Sequence, residues 1–289
     1  MKHRTGKAYI ISSPALILIG LIVVFPIFYT LWISFTNMNT YHWFNYDFVG
    51  FKNYSRALNI FNSEFISAIL FTVLWTVINM VLQLVIAFAI ANLLNIPGLK
   101  LKRLYKTLLM FPWAMPGYVS ILIWKTGMFN SEFGLLNQWL GKAYSWLGSD
   151  LSATICCTVV NLWLALPFMI MIMDGGLQSI DKSYYESATL DGAGWFRKAW
   201  SITVPCLKPI IGPSVVITVF TTFKTFDVIY LLTQQVGAQT GARIHTIITY
   251  AYENAFITNN YGYSSAISIL IFIMLILFSE FIERRGKRK

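Results

Sequence analysis

Six stretches of this chain are each long and apolar enough to cross a lipid bilayer, which fixes most of what it can fold into. They run Tyr9–Phe35, Phe65–Leu94, Leu104–Trp124, Leu151–Met173, Ile210–Leu232 and Ser264–Ile282. About 20 predominantly apolar residues in helical form span the hydrocarbon core of a membrane. Backbone amides find no water there, so such segments must satisfy their own hydrogen bonds as helices. Pro14, Pro26, Pro112, Pro116 and Pro167 lie inside these stretches, where neighbouring helices can satisfy the freed carbonyls. Only 12% of the residues are charged and 56% are hydrophobic. That is roughly half the charge of a soluble domain, which excludes a water-facing globule. The expectation is an all-α protein, a single membrane domain over residues 1–289 with six transmembrane helices.

Lysine and arginine set the orientation, because segments rich in them stay on the cytoplasmic side. Sixteen lie at the two termini and in the second and fourth connections. Five (Lys52, Arg56, Lys125, Lys142 and Arg243) lie in the other three connections. Both termini and the connection between the fourth and fifth stretches are therefore expected in the cytoplasm. The net charge of +10 is mainly this asymmetry, and it argues against nucleic acid as a partner. The first stretch follows a basic start, as a signal peptide would. Its apolar run exceeds a typical signal core and no small-residue cleavage site follows, so residues 9–35 are read as a retained first helix. Cys156, Cys157 and Cys206 lack metal-ligand spacing and read as small apolar packing residues. The outer connections Thr36–Glu64, Lys125–Asp150 and Thr233–Tyr263 are short and aromatic. Trp43, Trp139 and Trp146 suit the headgroup level.

One polar segment interrupts this pattern: "YYESATLDGAGWFRKAWSITVPCLKP", from Tyr184 to Pro209. Ser183 and Glu186 have the spacing of a capping box, predicting a short helix to about Leu190. Gly192 and Gly194 then offer left-handed freedom for a turn. A second short helix is predicted from Trp195 toward Thr203, ended by Pro205. Two short helices joined by a glycine hinge would expose Tyr184, Tyr185, Ala188, Ala193 and Trp195. An amphipathic hairpin resting on the inner leaflet has the same pattern. Glu186 and Asp191 count against it, since an anionic surface attracts basic segments; a dock for a cytoplasmic partner fits better.

The segment resembles the cytoplasmic EAA loop of binding-protein-dependent ABC importer permeases: E-A-A, three residues, Gly, nine residues, Ile-x-Leu-Pro. Here it reads Glu186-Ser187-Ala188, then Gly192, then Ile202-Thr203-Val204-Pro205, departing only at Ser187 and Val204. "PALILIGLIVVFPIFYTLWISFTN", "FVGFKNYSRAL", "FKTFDVIYLLT", "YAYENAF" and "GYSSAISIL" are similar to the sugar permeases of that superfamily, in particular the maltose-type and related oligosaccharide permeases. The resemblance implies a type I ABC importer permease fold, with residues 65–282 as a five-helix permease core and residues 182–205 as the coupling loop. It implies that Tyr185, Glu186, Ala188, Asp191, Gly192, Ala193 and Gly194 dock on an ATPase subunit. The implied partners are a second homologous permease, two cytoplasmic ATPase subunits, an extracytoplasmic sugar-binding protein and membrane lipid. The chain has no G-x-x-x-x-G-K-[S/T] loop, so ATP and Mg are expected in the partner ATPase and no cofactor in this chain.

Polar groups inside spans are costly and hence informative. Thr218, Thr221, Thr222 and Thr225 follow the i, i+3, i+4, i+7 spacing of one helical face; Asn161, Leu164, Ala165 and Phe168 repeat it in the fourth stretch. Hydroxyl-bonding groups beside an aromatic plane are what a sugar needs. Threonine can equally bond its own backbone. In maltose-type permeases the mid-membrane sugar contacts come from these two helices, so Asn161, Ala165, Phe168 and the four threonines form the candidate pathway. Lys224 and Asp227 read as the one pair of opposite charges deep in a span. They are either a mutual ion pair, or Asp227 accepts sugar hydroxyl protons. An ion-coupled secondary transporter would want internal repeats and buried carboxylates, and a glycerol-phosphate permease would want more cations than Lys224. A scaffold for a cytoplasmic enzyme would leave the polar in-span faces without purpose. The reading adopted is a sugar permease subunit, not an enzyme, working by ATP-driven alternating access.

Overall fold

The computed structural model describes residues 2–59, 64–234 and 244–286; Arg243 and the terminal Lys287, Arg288 and Lys289 lie outside them. The elements in chain order are α1 (Lys2–Ile19), α2 (Phe25–Ser34), α3 (Lys52–Ala57), α4 (Glu64–Leu94), α5 (Lys102–Ala114), α6 (Gly117–Ile123) and α7 (Leu135–Leu140). They continue with α8 (Asp150–Gln178), α9 (Lys182–Leu190), α10 (Trp195–Lys198), α11 (Val204–Phe223), α12 (Asp227–Ile229), α13 (Ile247–Phe256) and α14 (Tyr261–Gly286). Among the described residues five helices are long and apolar enough to cross a membrane: Ile11–Ser34, Glu64–Leu94, Asp150–Gln178, Trp195–Phe223 and Tyr261–Glu280. Lys102–Ala114 with Gly117–Met128 makes a sixth, counted as one broken span bent by 95°.

Proline explains where the helices depart from the sequence reading. The third stretch is not one straight helix: Met115 adopts an extended conformation before Pro116, because a residue preceding proline is pushed out of the helical region. At Pro26 and Pro205 a π-helical turn absorbs the proline, whereas Pro14, Pro112, Pro167, Pro209 and Pro213 sit within α-helix. Gly20–Val24 precedes Pro26, and Ala199–Thr203 precedes Pro205. Each wide turn contains the carbonyl four residues before the proline, the one that loses its donor. Pro205 therefore does not end the second short helix, which runs on into the fifth span. That span starts near Trp195 and stops at Phe223, not Leu232.

The chain divides into two compact units, Met1–Leu70 with Ile247–Lys289, and Phe71–Thr246. In the first, α2 packs along α14 and the chain after α2 is pinned by side chains. The Asn53 amide donates to the carbonyls of Ser34 and Thr36 at 2.9 and 2.8 Å, filling acceptors that the end of α2 leaves open. The Arg56 guanidinium lies 4.2 Å from the Tyr263 ring centroid. Gly262 donates to the Met38 carbonyl, and a Cβ there would sit 2.2 Å from the Thr36 carbonyl oxygen. Only glycine permits this approach, so Gly262→Ala is expected to lower stability by at least about 2 kcal/mol. Thermal melting of the purified protein in detergent checks this.

In the second unit α8 is the central helix, packed by α5 and α11. Two apolar clusters line it. One holds Trp75, Ile121, Cys156, Cys157, Val160 and Ile229, so the adjacent cysteines pack as expected. The other holds Met80, Ala87, Ala91, Met169, Ile170 and Met173. Gly176 lets α11 close on α8, since a Cβ there would meet Leu207 at 2.7 Å. Trp139 is exposed, whereas Trp146 is partly buried and donates its indole N–H to Asn137 at 2.8 Å.

Candidate functional site

The polar segment forms two limbs, but they are stapled, not hinged. Asp181, not Ser183, caps α9: its carboxylate accepts the Ser183 N–H at 2.9 Å, which holds Asp181 below the usual carboxylate range. Glu186 is exposed and closes no capping box. At the other end Gly192 N–H donates to the Thr189 carbonyl (3.0 Å) and Ala193 N–H to that of Ala188 (2.9 Å). That is the Schellman closure, and it requires the observed φ of +72° at Gly192. Gly194 is extended and starts α10. Two bonds then join the limbs: Lys198 Nζ to Thr189 Oγ1 at 2.8 Å, and the hydroxyls of Tyr185 and Thr203 at 2.9 Å.

Tyr185, Ala188 and Ala193, expected on the exposed face, are half-buried; Tyr184 and Trp195 are exposed as expected, and Asp191 is exposed too. The sequence reading missed the most exposed apolar groups of the segment, Leu190 at 90% and Phe196 at 82%. Trp195 and Phe196 meet edge to face at 4.8 Å. A stapled pair of short helices with exposed apolar side chains is a surface suited to being covered.

The second feature is a polar layer between the two apolar clusters. Asn161 lies near the middle of α8 and is buried, its amide donating to Asn79 Oδ1 at 2.8 Å; Asn79 in turn donates to the Trp75 carbonyl at 2.9 Å. Gln83 donates to the Ala165 carbonyl at 2.9 Å. With Thr72 and Thr76, these α4 residues form a buried stripe at i, i+4, i+7 and i+11. The Trp75 indole N–H, also buried, has no acceptor among the described residues.

The predicted threonine face is only half retained. Thr218 and Thr222 are buried on α11. Counted in opposite directions from the Gly176–Leu207 contact, antiparallel α8 and α11 bring them level with Asn161–Phe168. Thr221 is exposed and bonds back to the Thr218 carbonyl at 3.0 Å, and Thr225 to that of Thr221 at 3.3 Å. Thr225 also falls beyond the end of α11, where its carbonyl accepts from Thr246. Ala165 and Phe168 are half-buried. Lys224 and Asp227 are both exposed, one ending α11 and the other starting α12, and no ion pair joins them.

The buried opposite charges lie elsewhere. Asp174, one turn before the end of α8, is 3% exposed and pairs with Lys106 of α5. Asn95 donates to its Oδ1 at 2.9 Å and Gln178 to its Oδ2 at 2.8 Å. Lys125, expected in an outer connection, sits instead in the helical turn after α6 and donates to the Leu231 carbonyl at 2.5 Å. Among the described residues no group of His, Cys, Asp and Glu could hold a metal ion. The described residues offer a buried polar layer and an external segment of two stapled limbs.

The chain that carries these membrane-crossing helices, the buried polar layer and the two-limbed segment between spans is similar to known proteins. Residues 83–285 match the family model described as "Binding-protein-dependent transport system inner membrane component", and the chain belongs to this family. It is a multi-pass permease component of the inner (cytoplasmic) membrane and not a catalyst. The chain is 31% identical over 284 residues to the trehalose/maltose transport system permease protein MalF of Thermococcus litoralis, covering 96% of this chain and 93% of that one. It is likewise 31% identical to the galactooligosaccharides transport system permease protein GanP of Bacillus subtilis, covering 94% and 68%. Its fold matches a bacterial ABC transporter importing the polysaccharide alginate, with a TM-score of 0.79 at 20% identity and coverage of 99% and 96%.

Proposed function

We propose that this chain conducts a neutral oligosaccharide of the maltose type as one permease subunit of an ABC importer. A second, homologous permease would complete the pathway. Two cytoplasmic ATPase subunits would bind and hydrolyse ATP with Mg, and an external sugar-binding protein would deliver the substrate. The segment from Lys182 to Pro205 is the coupler in this reading. ATP-driven closure below would move it, and the spans on either side would open outward to receive the sugar.

One observation carries the reading: the limbs of α9 and α10 are bonded to each other and to Thr203 at the base of the fifth span. A push on α9 therefore reaches a membrane-crossing helix without passing through a loose joint. Relatives at 31% identity named for trehalose/maltose and galactooligosaccharide transport support this substrate class. Thr222, buried on α11 at the level of Asn161, is the preferred sugar contact; Phe168 would stack on a ring face. Asn161 already gives one donor to Asn79, leaving its carbonyl oxygen and second N–H for a hydroxyl.

Uptake of labelled maltodextrins and galactooligosaccharides by the assembled transporter in proteoliposomes tests this directly. ATP-dependent uptake of at least one neutral oligosaccharide is expected, and Thr222→Leu should reduce it roughly tenfold, the loss of one well-placed hydrogen bond. Asn161→Leu should reduce uptake and also stability, by about 1–3 kcal/mol, because Asn79 is left with a buried acceptor. Wild-type kinetics in both variants would remove the pathway assignment. Absence of uptake for every neutral sugar would remove the substrate class.

A further inference from the structure

The Lys106–Asp174 cluster belongs to neither the pathway nor the dock, and its position is mechanical. Asp174 is buried near the end of α8, seven residues before the Asp181 cap that starts α9. The next two residues are Gly175 and Gly176. Consecutive glycines are the poorest helix formers apart from proline and give a helix a soft point. Gly176 is required by the close approach of Leu207, but nothing lies within 4 Å of a Cβ at Gly175. The stem that carries the coupling segment therefore has a weak joint immediately above it.

Around that joint the donors converge from three helices. Lys106 comes from α5, Asn95 from the turn after α4, and Gln178 from α8 itself. Lys102 extends the network through Asn95 Oδ1 at 3.2 Å. The Asp174–Gln178 bond spans both glycines along the helix, and the other two tie it sideways to α4 and α5. A buried carboxylate with this many partners is held in one geometry, since losing Lys106 leaves its charge without compensation and losing either amide leaves a buried oxygen short of a donor.

We propose that Asp174 is a positioning residue for coupling. Clamped by Lys106, Asn95 and Gln178, it stiffens α8 across Gly175–Gly176, so that displacement of α9 moves α4, α5 and α8 together. This rests on the coupler reading above. The clamp acts through α9 and touches neither sugar nor nucleotide.

The test is the number of sugars imported per ATP hydrolysed by the complete transporter in proteoliposomes. Asp174→Asn keeps the side-chain shape while removing the charge that holds Lys106. It should lower the ratio roughly three- to tenfold, the range of substitutions along a coupling network, with ATP hydrolysis continuing. Adding Gly175→Ala, which firms the helix by another route, should restore most of the ratio. The doubly neutral Lys106→Met/Asp174→Asn variant, which leaves no buried charge, should show the same loss and the same rescue. An unchanged ratio in both variants overturns the clamp, as does a loss that Gly175→Ala does not restore. Failure of the coupler reading looks different: Gly192→Pro would then leave the stimulation of ATP hydrolysis by the loaded binding protein unchanged.

Discussion

Replacing Gly192 by proline is expected to abolish uptake, with at least a tenfold loss of ATP hydrolysis stimulated by the binding protein. Gly192 occupies φ +72°, whereas proline is locked near −65°. The substitution also deletes the N–H that closes on the Thr189 carbonyl and pulls the Ala193 N–H from Ala188. Losing the whole closure costs about 3 kcal/mol or more. A tenfold change needs only about 1.4 kcal/mol. Gly192→Ala should be intermediate, because a Cβ in the left-handed region costs about 1–2 kcal/mol while the N–H remains. Neither change lies in a membrane-crossing helix, so the loss is confined to the turn between α9 and α10 and the yield of assembled permease in detergent should be close to wild type. The order Gly, Ala, Pro in stimulated hydrolysis is the expected result; equal rates in all three would mean the turn transmits nothing.

This turn also shows what was legible in the sequence. The place of the two-limbed segment was, because a polar interruption between apolar stretches and a left-handed glycine are local signals; its cap, Asp181 and not Ser183, was not. Nor were the segment's mechanics. Whether two helices around a glycine hinge or lock depends on Lys198 meeting Thr189 and Tyr185 meeting Thr203, nine and eighteen residues apart. The spans were visible from length and hydropathy alone, except where proline decides between a break and a π-helical turn. Pro116 breaks the helix, while Pro26 and Pro205 follow wide turns. The residue preceding each proline does not announce the choice.

The polar interior was read only in part: Asn161, Thr218 and Thr222 are buried as a polar lining needs, but the stripe on α4 was not picked out. Threonines 218 to 225 look like a hydroxyl face on an ideal helix, but α11 ends at Phe223 and two of the four hydroxyls turn to their own backbone. The stripe of Thr72, Thr76, Asn79 and Gln83 in α4 has equally regular spacing and is buried throughout. That signal was present. Asp174 was passed over because it lies one residue beyond the apolar run of the fourth span. The helix extends to Gln178 and carries the charge inside. A span's hydrophobic edge and its helical end are different boundaries, and charges between the two are where partners should be sought.

The second large effect is expected at the dock. Leu190 and Phe196 are among the most exposed apolar side chains of the coupling segment, so replacing them should barely alter the fold, within about 0.5 kcal/mol. If an ATPase subunit covers them, they sit where anchor residues sit, and truncating such anchors typically costs about 2 kcal/mol or more each. The variant Leu190→Gln/Phe196→Gln should therefore assemble as a permease but lose its ATPase subunits during purification. Affinity for the isolated ATPase should fall at least roughly thirtyfold. Glutamine keeps helix propensity in α9 and adds no charge near its end, so the loss cannot be assigned to a melted helix. The competing arrangement, a hairpin resting on the inner leaflet, makes the opposite forecast. There the same variant would retain its ATPase and instead lose contact with lipid, read as reduced quenching of Trp195 by brominated phospholipids. Copurification and the quenching signal, measured on one preparation, separate the two.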